Sequence, residues 1–256
     1  MIEKWNITIP ELSGDEPRSA YIYVPDWWEE DSEERFPVLY MFDGHNVFFD
    51  EDATYGKSWG MAEFAEESQL PVIIAAVECN HGPNNDRLRE YSPYDFRDRA
   101  FGSVRGDGRI TMEWFVNAFK PFIDENFPTL PQRGFTFIAG SSMGGLMSLY
   151  AVMEYNHVFS RAAALSPSLW AGGDQLERLL RTAPLTGETV VYMDYGSEEL
   201  SNHRGMKRRF IDATSRLIQR GVMVESRIVP GGDHSEASWE RQIPFFMGTL
   251  LYGIVE

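Results

Sequence analysis

A single cysteine, Cys79, stands in 256 residues, so no internal disulfide can form. Such a chain suits a reducing compartment. Cys79 follows the apolar run 72–77 by two residues and reads as a small hydrophobe near a strand end. Basic residues are scarce: 23 Lys and Arg against 39 Asp and Glu give a net charge of −16. That balance argues against a nucleic-acid partner and disfavours anionic lipid, since both need a basic surface. No apolar stretch is long enough to span a bilayer. The first ten residues lack the basic start and apolar run of a signal peptide, so a cytoplasmic location is expected. There is no H-E-x-x-H, no Cys/His set with zinc spacing and no G-x-G-x-x-G opening a helix after the first strand, so no metal and no cofactor are expected. The one Gly-Lys-Ser, at Gly56, Lys57 and Ser58, has Glu51 where a phosphate loop needs its first glycine. Paired carboxylates abound in so acidic a chain, and none is singled out for glycosidase chemistry.

What is present is an ordinary globular composition, with 43% hydrophobic and 24% charged residues. The length fits one domain spanning 1–256. Segments 7–9 and 21–24 read as two early strands, a hairpin across the acidic stretch 11–16. Short apolar runs at 38–42, 72–77, 135–139, 162–165, 190–193 and 222–229 read as buried strands. Helical patterns lie between them, at 112–125, 146–155, 175–182, 206–220 and 243–254. Pro121 should kink or split the first of these. Strands alternating with helices imply a mostly parallel sheet covered on both faces. The polar segment 80–109 breaks the rhythm, and a connection of this length is expected to lie over the active site.

The chemistry centres on Gly140-Ser141-Ser142-Met143-Gly144, a G-x-S-x-G between a buried strand and an apolar helix. Chance alone gives this pattern roughly one time in ten in such a chain; its placement is what marks a nucleophile elbow, with Ser142 on a strained turn at the carboxyl end of the sheet. Among five histidines, His234 follows the late strand 222–229 in Gly231-Gly232-Asp233-His234, at the same sheet edge, and is the candidate general base. The acid that orients it should come from the loop after 190–193, where Asp194, Glu198 and Glu199 all qualify by charge. An oxyanion hole needs two N–H groups. Met143 supplies one, and the turn Asp43-Gly44-His45-Asn46 the other, with His45 the chosen donor.

These segments resemble a known group. Leu39-Tyr40-Met41-Phe42-Asp43-Gly44-His45-Asn46, then residues 140–145, then Gly231-Gly232-Asp233-His234 with Trp239, look like the putative-esterase family, which includes esterase D-like, siderophore and feruloyl esterases. The resemblance covers about 24–250. It implies an α/β-hydrolase fold, no metal, and a Ser–His–acid mechanism on an ester of a small molecule or glycan: a sugar, a hydroxycinnamate, a siderophore or a short acyl group. Gly196-Ser197-Glu198-Glu199 resembles the family's acid segment and favours Glu199. Arg89-Glu90-Tyr91-Ser92-Pro93 looks like a segment of the siderophore-esterase branch, and Ser166-Pro167-Ser168-Leu169-Trp170 resembles one whose aromatic lines the pocket. Asp43, Gly44, Asn46, Trp59, Arg89, Trp170 and Trp239 are thus the substrate-binding candidates. Asp43-Gly44 stands where many hydrolases have His-Gly. An acyltransferase with the same residues, an inactive ligand-binding relative, and a homo-oligomer stay open at this level.

Overall fold

Side chains of successive strand residues point to opposite faces of a sheet, and the central runs 38–42 and 73–77 are apolar at every position. They must therefore be covered on both sides. The computed structural model, which describes residues 1–29, 32–199 and 205–254, has ten strands: β1 (Ile2–Ile7), β2 (Arg18–Tyr23), β3 (Val38–Phe42), β4 (Ile73–Val77), β5 (Phe96–Asp98), β6 (Gly102–Val104), β7 (Thr136–Ser141), β8 (Arg161–Leu165), β9 (Val190–Gly196) and β10 (Met223–Val229). The helices are α1 (Pro10–Ser13), α2 (Met61–Glu67), α3 (Asp86–Glu90), α4 (Gly108–Trp114), α5 (Lys120–Asn126), α6 (Met143–Glu154), α7 (Leu169–Thr182), α8 (Met206–Gln219), α9 (Glu236–Glu240) and α10 (Ile243–Leu251). Eight strands form one sheet in the order β1-β2-β4-β3-β7-β8-β9-β10. Pairs β1–β2 and β2–β4 are antiparallel, and every later pair is parallel. This is an α/β-hydrolase fold.

The alternation divides the core in two. Val38, Tyr40 and Phe42 pack with Phe115, Leu146, Leu149 and Leu217 on one face, while Leu39 and Met41 pack with Trp59, Phe246 and Leu250 on the other. Helix α6 is buried along almost its whole length, as expected of a helix that is apolar all round. The early hairpin forms, but its first strand lies at Ile2–Ile7 rather than 7–9. Pro10, without an N–H, suits the first turn of α1 and ends the extended run before it. The pattern at 112–125 is split as Pro121 requires: α4 passes through a π-helical turn, Phe115–Phe119, whose closing Lys120 N–H reaches back to the Phe115 carbonyl, into α5. Segment 80–109 contains α3 and the β5–β6 hairpin.

Parallel strands share one carboxyl edge. The turns leaving β3, β7, β8, β9 and β10 therefore gather Asp43, Ser142, Ser166, Glu199 and His234 along it, where open α/β sheets place their ligands.

Candidate active site

Ser142 sits between β7 and α6 with φ 56° and ψ −118°, a left-handed φ that costs a side-chain-bearing residue about 1–3 kcal/mol. The surroundings hold it there: its N–H donates to the Leu165 carbonyl at 2.9 Å, and its carbonyl accepts from the Ser168 N–H at 2.9 Å. The flanking glycines are sterically required. A Cβ on Gly140 would lie 2.7 Å from the Gly144 carbonyl carbon, and one on Gly144 would lie 3.0 Å from Phe42 Cβ. The Ser142 hydroxyl is half-buried, 3.4 Å from Ser168 Oγ. Met143 opens α6, so its N–H has no partner one turn back and is left at the positive end of the helix.

His234 lies beyond β10, and its loop packs backbone against backbone on the loop after β9. A Cβ on Gly196 would collide with the Gly232 carbonyl, and the Glu198 N–H donates to that carbonyl at 3.0 Å. This close approach brings the Glu199 carboxylate to His234, with Oε2 2.5 Å from Nδ1. Glu199 is buried, and its other oxygen accepts from the Gly196 N–H at 2.7 Å and the Ser166 hydroxyl at 2.5 Å. Trp239 packs edge-on to the imidazole, centroids 5.1 Å apart, and its indole N–H donates to Ser166 Oγ. Of the other two acids, Glu198 is exposed. Asp194 is buried against Tyr192 and the Ser166 N–H, and burial pushes its carboxyl up to about 7. Ser142 and His234 border the same cavities but share no hydrogen bond among the described residues, a spacing usual before substrate tightens a site.

Across the cleft, Asp43 has a left-handed φ of 57° and leads into a 3-10 turn, Gly44–Asn46. Two of the four amides in this segment are used: Asp43 N–H donates to the Tyr91 hydroxyl and Asn46 N–H to the Asp43 carbonyl. Those of Gly44 and His45 have no partner among the described residues. The Asp43 carboxylate holds Arg87 in a two-point ion pair, 2.7 and 2.6 Å. Burial works against that charge, but the guanidinium outweighs it and keeps the Asp43 carboxyl below its ordinary value. Arg87 escaped the sequence reading; the signal available was an arginine in the polar segment facing an unusual Asp-Gly turn. Arg89, chosen there instead, pairs with Asp107 and Asp86 and lines neither cavity. Trp59, a substrate-binding candidate, lines neither cavity and is a core residue, packed on Trp239 and Phe246.

Two cavities meet at Ser142 and His234. One, of about 310 Å³, is lined by Leu88, Phe101, Met143, Trp170, Tyr195 and Glu199 among others. Phe101 stacks on Trp170 there, interplanar angle 18°. The second, of about 350 Å³, holds Asp43, His45, Asn46, Cys79, His81, Glu236 and Trp239; Arg87 lines both. A further groove between α7 and α8, with Arg208, Arg209 and Arg216, includes none of Ser142, His234 and Glu199. Among the described residues, no helix is long and apolar enough to cross a membrane.

Comparison with known proteins agrees with this architecture. The family model described as putative esterase matches residues 13–250. The chain is 27% identical over 206 residues to the uncharacterized protein YbbA of Bacillus subtilis, covering 79% of this chain and 77% of that one. It is 25% identical to the siderophore triacetylfusarinine C esterase of Aspergillus fumigatus, over 60% of this chain and 52% of that protein. Among solved structures it resembles the siderophore hydrolase EstB of Aspergillus nidulans, with a TM-score of 0.72, 18% identity and coverage of 99% and 96%.

Proposed function

The chain belongs to the putative esterase family, and from that premise we propose that its ester hydrolysis runs through Ser142, His234 and Glu199. The observation that carries the proposal is the Glu199–His234 contact, buried on the carboxylate side, at a sheet edge where a strained serine borders the same cavities.

Glu199 accepts the Nδ1 proton of His234, which leaves Nε2 with a lone pair as the general base. As the Ser142 hydroxyl attacks the ester carbonyl, its proton passes to Nε2 and a tetrahedral oxyanion forms. The Met143 amide and the His45 amide are its donors. Collapse expels the alcohol, protonated by the imidazolium, and leaves an acyl-enzyme. Water activated by the same imidazole then attacks the acyl carbonyl and frees the acid and Ser142.

The substrate is a small-molecule ester. Trp170 and Phe101 offer flat apolar surface on one side of the serine, suited to an aromatic or acyl group. Segment 80–109 contributes Leu88, Phe101 and Arg87 to the cavity walls and acts as its cover. A siderophore ester is the substrate class supported by the named relative in Aspergillus fumigatus. Intact-mass analysis after a fluorophosphonate probe should show one adduct on the wild type and none on Ser142→Ala. An adduct persisting on the variant would remove Ser142 as the nucleophile.

A further inference from the structure

His45, Cys79 and His81 converge in the second cavity, each with a ligand atom within 4.8 Å of the others. The two imidazoles meet edge to face, centroids 4.8 Å apart. His45 is buried; its Nε2 lies 3.0 Å from Thr54 Oγ1, and its buried Nδ1 has no hydrogen-bond partner among the described residues. A buried ring nitrogen left unpaired has lost its hydration with nothing in return. His81, more exposed, has an outer partner of the same kind, its Nε2 3.0 Å from Glu78 Oε1. An outer partner on one ring nitrogen, with the other left inward, is how metal-binding imidazoles are oriented. Cys79, buried, adds a soft donor between them.

We propose that His45 Nδ1, Cys79 Sγ and His81 Nδ1 bind a divalent transition-metal ion of the zinc type, and that its binding inhibits ester hydrolysis. The second half rests on the active-site reading above; the first does not. As the metal–sulfur bond forms, the Cys79 thiol gives its proton to solvent, and both imidazoles bind as neutral ligands, so nothing is oxidised or reduced. The ion's two charges and that of Arg87 are balanced by Asp43, Glu78 and the Cys79 thiolate. Ordinary Zn–N and Zn–S lengths put tetrahedral ligand atoms roughly 3.3–3.8 Å apart, so the cluster closes on the ion by about 1 Å. His81, with its side chain 54% exposed, has room to make that movement. The fourth position, taken by water, opens into the cavity that Ser142 and His234 border, which is why occupancy blocks substrate.

The test is cobalt(II) and zinc(II) titration of the full chain after chelator treatment. One cobalt per chain should bind with a thiolate-to-metal charge-transfer band, and zinc should displace it. Cys79→Ser and His81→Ala should each weaken zinc by at least about tenfold, a cost that even outer partners reach. Ser142→Ala and His234→Ala should leave zinc affinity unchanged. Zinc should suppress turnover of a p-nitrophenyl ester by the wild type but not by His81→Ala, whose half-exposed position makes it the safer variant if Cys79→Ser misfolds. Absence of the thiolate band overturns the site. So does zinc binding lost in His234→Ala but kept in Cys79→Ser, which would put the ion on the His234–Glu199 pair. Stoichiometric binding with unchanged turnover overturns the inhibition alone. An active Ser142→Ala that still binds zinc would sink the nucleophile assignment and leave the metal site standing.

Discussion

Replacing Glu199 with glutamine removes a charge and changes almost no volume, yet the surroundings dictate what the amide must do. One carboxylate oxygen accepts from the Gly196 N–H and the Ser166 hydroxyl, and the other meets His234 Nδ1. The glutamine NH2 cannot face the Gly196 N–H, because two donors would be opposed at 2.7 Å. Its oxygen therefore stays on that side and its NH2 turns to His234. Nδ1 must then accept, which moves the ring proton to Nε2 and removes the lone pair that takes the Ser142 proton. Loss of the correct tautomer costs on the order of 10⁴ in kcat where it has been isolated in a Ser–His–Asp site, about 5 kcal/mol of barrier. KM should change by only a few-fold, since both Glu199 oxygens are taken by protein groups. Steady-state hydrolysis of a p-nitrophenyl ester gives both constants, and the fluorophosphonate labelling rate should fall in parallel. The melting temperature reports whether the fold survives. Glu198→Gln, altering an exposed carboxylate, should behave as wild type. A folded Glu199→Gln within tenfold of wild-type kcat would refute the reasoning and move the search to Asp194.

Ser142→Gly should abolish ester turnover and raise stability by about 1–3 kcal/mol in urea unfolding, because glycine adopts the positive φ without strain. Arg87→Met leaves Asp43 buried without its partner; roughly 2–4 kcal/mol should be lost, toward the low end of a broken buried pair because the Arg87 side chain is 32% exposed. The pH dependence of stability follows from Asp194 and Glu90, whose carboxyls burial pushes up to about 7, in Glu90 against the pull of Arg18. The native state then holds protons that the unfolded chain has released. Their contribution is therefore full below the unfolded values near 4 and lost as pH rises to about 7. It is at most on the order of 3–4 kcal/mol for each. Urea midpoints should fall between about pH 4 and 7, and Asp194→Asn should flatten that slope; an unchanged slope would show that Asp194 titrates normally.

Much of this protein is local in origin, and that part is legible in the sequence. An apolar pentapeptide such as 38–42 has nowhere to go but a doubly covered strand. Gly140, Ser142 and Gly144 announce a sharp turn because Gly140 and Gly144 must approach closely within a few residues. Pro121 announces a broken helix because the missing N–H is its own. What adjacency in the chain does not carry, tertiary structure decided. Asp194, Glu198 and Glu199 are equivalent by charge and the family resemblance alone favours Glu199; the backbone contact of Gly196 on Gly232 is what brings it to His234. Arg87 rather than Arg89 enters the site because residues two apart on a helix face opposite ways, and the partner that fixes Arg87 is Asp43, from a distant strand end. Trp59 and Trp239 are alike as letters, yet one lies in the core beneath the other. His45, far in sequence from Cys79 and His81, joins them because β3 and β4 are parallel neighbours whose carboxyl ends must lie side by side. Sequence determines what each segment becomes; the sheet determines which segments meet.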